Sequence, residues 1–148
     1  MQSIYDKIWE SAINAIKMRM MSVSELEKKL KIQYPDEGGY ISQILDEMKR
    51  VELINDKRYV EQLLHHLTLR PIGRIKIMVE TRKRGLDKDL VDEVLLRLNY
   101  NEEDAAKQAL DEKMKTVRES DPRKRKFKLM NFLKNRGFTD SVIWHVVK

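Results

Sequence analysis

The sequence predicts an all-α fold, an elongated, curved array of three tandem three-helix repeats. Three observations carry that expectation. Five Gly and three Pro in 148 residues leave little turn material for a sandwich or a barrel. Apolar residues recur at three- and four-residue steps along most of the chain. The stretch from Arg70 to Leu98 also returns near the C-terminus. Aligning Gly85 with Gly137 sets Leu86 on Phe138, Asp87 on Thr139, and Leu90, Val91 and Val94 on Val142, Ile143 and Val146, with Ile75 on Phe127. A fainter copy aligns at Gly39, with Tyr40, Ile44, Leu45 and Met48 at the same offsets but Ile41 at the capping position.

Taken in order, the first helix carries Ile8, Trp9, Ala12, Ile13 and Ile16 as an inward stripe running into Met18, Met20 and Met21, all expected in the core. Ser22 and Glu25 have the spacing of a capping box, so SVSELEKKL opens a second helix with Leu26 and Leu30 inward. IQYPDEGG reads as a loop and Tyr40 to Val51 as the third helix, followed by Leu53, Ile54 and the capping types Asn55 and Asp56. Residues 57–69 form the next helix through Tyr59, Val60, Leu63, Leu64 and Leu67.

In the central unit, Ile72, Ile75 and Val79 share one face with Met78 beside them. Gly85 sits where a left-handed C-terminal cap belongs, and Asp87 caps a helix whose buried stripe is Leu90, Val91, Val94, Leu95 and Leu98. Asn101 with Asp104 starts a helix through Ala105, Ala106, Ala109, Leu110 and Met114, whose small side chains permit close packing. Asp121 before Pro122 starts another, because proline loses no needed hydrogen bond at the first helical position. Arg136 and Gly137 separate the last two helices. The expected repeats are residues 1–54, 55–99 and 100–148.

Charge is concentrated rather than spread. Arg70 to Arg84 holds six Lys or Arg against Glu80 alone, and Pro122 to Arg136 holds seven with no acid. These windows carry +5 and +7 where the whole chain carries +6, so the remainder is negative. The candidate binding face is therefore Arg70, Arg74, Lys76, Arg82, Lys83 and Arg84 with Arg123, Lys124, Lys128, Lys134 and Arg136. Lys124, Lys128, Asn131 and Asn135 share one side of their helix, away from Phe127, Met130 and Leu133. Charged residues on an amphipathic helix also simply keep that side in water, and cations in a last turn favour the helix dipole by about 0.3–1 kcal/mol without any ligand.

Other chemistry has little support. The absence of cysteine rules out disulfides and thiolate metal sites. His65 and His66 are adjacent and point to different sides of a helix, and His145 lies in an apolar helix, so no metal and no cofactor is expected. Asp89 and Glu93 share a helix face but have no partner to orient a base. Trp9, Trp144, Phe127, Phe132 and Phe138 fall in helical apolar patterns and are expected to pack, although an exposed ring stacks well on a base. No signal peptide is visible, and no apolar run approaches the roughly 20 residues needed to span a bilayer. The expectation is a cytoplasmic protein.

SVSELEKKL, then ELINDKRYVEQLLHHL leading into RPIGRIKIMVETRKRGLDKDLVDEVL, then FLKNRGFTDSVIWHVV, together and in that order, resemble the RecX family across nearly the whole chain. The resemblance implies tandem three-helix repeats and a non-enzymatic regulator of the RecA recombinase. Such a protein lies in the groove of the RecA filament on single-stranded DNA. It inhibits filament extension, ATPase, recombinase and coprotease activities, and so modulates DNA repair and the SOS response. It further implies RecA as the partner, with single-stranded DNA as a possible direct one, no membrane, and a monomer. Reversing the charge of Arg82, Lys83 and Arg84 together is expected to weaken the effect without unfolding the protein.

The competing reading is a winged-helix or helix-turn-helix transcriptional regulator. SVSELEKKL followed by YISQILDEMKRVELI has the short helix, connection and longer helix of such a module. A wing, however, needs a hairpin, and NDKRYVEQLLHHL has helical periodicity instead. A purely structural helical scaffold is the third reading.

Overall fold

The computed structural model describes residues 1–148 as nine helices and no strand: α1 Ile4–Met18, α2 Val23–Gln33, α3 Gly38–Arg50, α4 Asp56–Leu67, α5 Arg74–Lys83, α6 Lys88–Arg97, α7 Glu102–Met114, α8 Pro122–Asn135 and α9 Asp140–Val146. Every strongly contacting helix pair lies within α1–α3, α4–α6 or α7–α9. Each triplet has its own core: one around Ile8, Leu26 and Ile44, one around Val60, Ile77 and Val91, one around Ala106, Leu133 and Phe138. No hydrogen bond or ion pair joins the first triplet to the third. The chain is a linear series of tandem helical repeats.

The helix starts follow the sequence signals. Ser22 accepts from the Glu25 amide at 3.0 Å while the Glu25 carboxylate accepts from the Ser22 amide at 3.0 Å, completing the capping box. Asn55, Asp87, Asn101 and Asp121 each cap the helix that follows, and Pro122 occupies the first helical position of α8. Gly85 and Gly137 have positive φ, +66° and +83°, where α5 and α8 end.

Several expectations change. Ile75 and Val79 are half exposed, and α5 instead buries Ile77 and Thr81, with Ile72 buried just ahead of the helix. Apolar residues surround α5, so periodicity alone does not choose a face, and its first turn begins at Arg74 rather than at Arg70. The equivalent positions in α8 are Leu129 and Leu133, both buried, and Phe127 is exposed like Ile75. Met18 and Met20 are exposed and only Met21 reaches the core, because α1 ends at Met18 and the chain turns away. Leu98 and Met114 sit at helix C-termini and are also exposed. The loop before α3 shrinks to residues 34–37, since Gln33 still belongs to α2 and Gly38 already to α3. Gly39 is therefore helical rather than a cap, and its alignment with Gly85 does not hold structurally.

The repeats join by a shared device. At the start of α5, the Gly73 amide donates to the Arg136 carbonyl at 2.9 Å and the Ile75 amide to the Gly137 carbonyl at 3.0 Å. The Arg74 amide between them donates to the Glu102 carboxylate at 2.8 Å. These are first-turn amides that α5 itself cannot satisfy, so the C-terminus of α8 caps α5 from the next repeat. At the start of α2 the Ser22 hydroxyl donates to the Arg84 carbonyl, and the Val23 amide donates to Asp56 at 2.9 Å. Asp56 and Glu102 occupy the same place, directly after the capping asparagines Asn55 and Asn101. The three middle helices consequently abut end to end, α8 to α5 to α2, as a spine.

Candidate functional site

The spine holds the basic windows. Matching positions through the junctions puts Leu26 and Leu30 of α2, Ile77 and Thr81 of α5, and Leu129 and Leu133 of α8 on the buried side. The opposite side then reads Ser24, Lys28, Lys31; Ile75, Val79, Arg82; Phe127, Asn131, Lys134. Each stripe ends in a cation at the same offset. Successive repeats thus present one surface along the spine.

The candidate cations divide by what they touch. Arg70, Lys76, Arg82, Arg123, Lys124 and Lys134 are exposed and form no ion pair or side-chain hydrogen bond. Lys83 pairs with Glu80 at 3.4 Å and Lys128 with Glu119 at 3.1 Å, both in solvent. Lys128 holds the Glu119 carboxyl below its ordinary range by a hydrogen bond. Arg74 meets Asp92 at 3.4 Å and lies 6.0 Å over the Tyr100 ring.

Arg84 closes the last turn of α5, and Arg136 serves a junction. Arg84 donates to the Glu80 carbonyl at 2.7 Å and to its carboxylate at 3.0 Å, while its own carbonyl accepts from Ser22. The bond between the Arg84 guanidinium and the Glu80 carboxylate is the main cause of the lowered Glu80 pKa. Arg136 donates to the Pro71 carbonyl at 3.2 Å and stacks 5.0 Å from the centre of Phe132. The charge reversal of Arg82, Lys83 and Arg84 together would also remove the Arg84 bonds to Glu80 that close the last turn of α5, so Arg84 does not belong in a clean test of the surface.

Sequence reading missed two groups. Glu102 is the first: besides Arg74, it accepts from the Thr139 hydroxyl at 2.7 Å and the Thr139 amide at 3.3 Å, tying α5, α7 and α9 together. The Asn-acid pair repeated at 55–56 and 101–102 is the signal that marks it. The second is the pair Phe127 and Trp144, expected to pack but each 66% exposed.

Tyr100 closes the second junction by donating to the Ile72 carbonyl at 2.8 Å. Burial pushes its phenol well above the ordinary range, the Glu102 charge adds to the rise and Arg74 opposes it. The unfolded phenol ionises near pH 10 while the folded one keeps its proton, so the unfolded state binds fewer protons as pH rises. The stability Tyr100 confers is complete below about pH 10 and declines above it. Tyr100→Phe should cost about 1 kcal/mol near neutrality. In urea titrations from about pH 9 to 11.5 it should also show a shallower alkaline loss than the parent; equal slopes would contradict the buried phenol.

Fold and surface together define a class: a helical-repeat protein with a cationic spine and no cluster of groups suited to hold a metal. No helix is long and apolar enough to cross a membrane. Family models match residues 55–95 as "RecX, second three-helix domain" and 101–147 as "RecX, third three-helix domain". The chain belongs to the RecX family of regulatory proteins.

"Regulatory protein RecX" of Pelodictyon phaeoclathratiforme is 32% identical over 129 residues, covering 86% of this chain and 78% of that one. The protein of the same name from Chlorobaculum tepidum is 30% identical over 140 residues, covering 94% and 85%. That of Clostridium beijerinckii is 30% identical over 142 residues, covering 94% of this chain and 66% of that one. In fold, the crystal structure of RecX from Lactobacillus salivarius superposes with a TM-score of 0.80 over 97% of this chain and 94% of that one, at 22% identity.

Proposed function

We propose that this protein binds the RecA nucleoprotein filament and restrains its extension, lowering its ATPase, recombinase and coprotease activities and so modulating DNA repair and the SOS response. It acts by binding, without a catalytic step or cofactor, as a cytoplasmic monomer whose repeats span residues 1–54, 55–99 and 100–148. The observation that carries the reading is the spine: unpaired Lys76 and Arg82 on α5 and Lys124 and Lys134 on α8 face solvent along abutting helices. A filament offers a matching long, repetitive, negatively charged surface. Attraction of this kind fades as salt rises.

The helix-turn-helix reader gains nothing from the geometry. The chain has no strand to form a wing, and α3 ties Lys49 to Asp46 at 3.4 Å and Arg50 to Glu47 at 2.6 Å instead of leaving them for phosphates. Co-sedimentation separates the readings. The protein should pellet with RecA filaments on single-stranded DNA and leave them as salt is raised. Retention by one particular duplex, with none on the filament, would favour the transcriptional reading.

A further inference from the structure

We propose that the groove between α8 and α9 is a base-stacking site for single-stranded nucleic acid, which names the chemistry of one contact in the function proposed above and rests on that reading. Phe127 and Trp144 face into one open groove of about 250 Å³, together with Met130, Asn131, Lys134 and Asp140. Both rings are 66% exposed, whereas Phe138 and Ile143 of the same repeat are almost fully buried. Aromatic rings dominate cores when they are buried, so two left in solvent on adjoining helices form an apolar patch that a ligand can cover.

The surrounding charge selects a base with its phosphates. The Lys126 ammonium lies 5.9 Å from the centre of the indole, Lys124 sits one turn before Phe127, and Lys134 lies two turns after it on the exposed stripe. Cations beside stacked rings are the composition of single-strand grooves. Asp140 lines the same groove and forms no ion pair or side-chain hydrogen bond. Its carboxylate repels an acidic peptide drawn to those lysines, but accepts from a ring N–H or exocyclic amino group of a neutral base, as the Asn131 amide also can. Duplex bases are already stacked internally, so only an unpaired strand can reach the rings. Phe127 occupies the position of half-exposed Ile75 on α5, which places the stacked base on the spine surface itself.

Trp144 is also the reporter. The chain has two tryptophans, so Trp9→Phe leaves Trp144 as the sole indole. In that background an oligothymidine of about 20 nucleotides should quench the emission and bind more tightly than an abasic oligonucleotide of equal length at the same salt. Phe127→Ala should weaken thymidine binding about 5- to 100-fold and leave abasic binding unchanged, with circular dichroism matching the parent. Equal affinity for the two oligonucleotides, or no quenching, would overturn the site. Quenching by polyglutamate equal to that by thymidine would overturn it as well and assign the groove to an acidic protein segment. RecA is absent from every arm, so the result is independent of the co-sedimentation: filament binding there without quenching here removes the stacking site alone, and quenching here without filament binding there removes the filament reading alone.

Discussion

Gly73→Ala is expected to detach the third repeat from the second and to lower its stability by about 3 kcal/mol or more. A Cβ at residue 73 would fall within the Gly137 carbonyl and the Phe138 nitrogen, backbone atoms that no rotamer change can move. Gly137→Ala meets the same junction from the other side, with the Lys76 nitrogen 2.6 Å away and a φ of +83° that disfavours any side chain. Displacing either backbone breaks the two amide-carbonyl bonds from Gly73 and Ile75 and withdraws Glu102 from the Arg74 amide. Gly38→Ala is the control, since a Cβ there meets nothing within 4 Å. At the start of α3 it should be neutral or stabilising by up to about 1 kcal/mol. Hydrogen exchange resolved by repeat would show reduced protection in α7–α9 for Gly73→Ala and no reduction for Gly38→Ala. Equal protection in both would contradict the junction.

The quadruple replacement of Lys76, Arg82, Lys124 and Lys134 by glutamate should lower affinity for the filament at least about tenfold at low salt, because long-range attraction turns into repulsion. These four side chains are exposed and bond to nothing in the protein, so the loss of stability should stay near the roughly 0.3–1 kcal/mol that Arg82 and Lys134 each lend their helix dipoles from the last turn. If DNA phosphates are met directly, the dependence of log affinity on log salt should flatten by about 0.7 to 0.9 for each phosphate that is no longer neutralised. Replacing Arg136 instead should destabilise the junction it bridges to Pro71, and replacing Arg84 the last turn of α5, where it bonds to Glu80. A stable quadruple variant with undiminished binding would remove the spine from the interaction.

Which of these features the sequence discloses follows from the chemistry of each. Caps are side-chain events, so Ser22, Asn55, Asp87, Asn101 and Asp121 announce their helices. Gly85 and Gly137 mark positive φ, and their alignment finds the repeat. The inner face of α5 is hidden because Ile75, Ile77, Met78 and Val79 surround the helix and one buried position holds a threonine, whose hydroxyl donates to the Ile77 carbonyl at 2.9 Å. Leu133, at the equivalent place in α8, discloses that face only after the two helices are superposed. The end-to-end junction is made largely of backbone amides and carbonyls, which leave no residue pattern. Trp144 reads as a packing residue because α9 spans only seven residues, too few turns to tell an inner stripe from an outer one. Among the basic residues, sequence locates the windows but does not separate Arg84, bonded to Glu80, and Arg136, bonded to Pro71, from Arg82 and Lys134, which face solvent.

The most direct measurement of the central claim is RecA's ATP hydrolysis on single-stranded DNA with this protein added well below one copy per recombinase protomer, beside a DNA-binding control at the same salt. Inhibition at that ratio, relieved by the quadruple glutamate replacement, is the predicted result. Undiminished hydrolysis even with the protein in excess would contradict it.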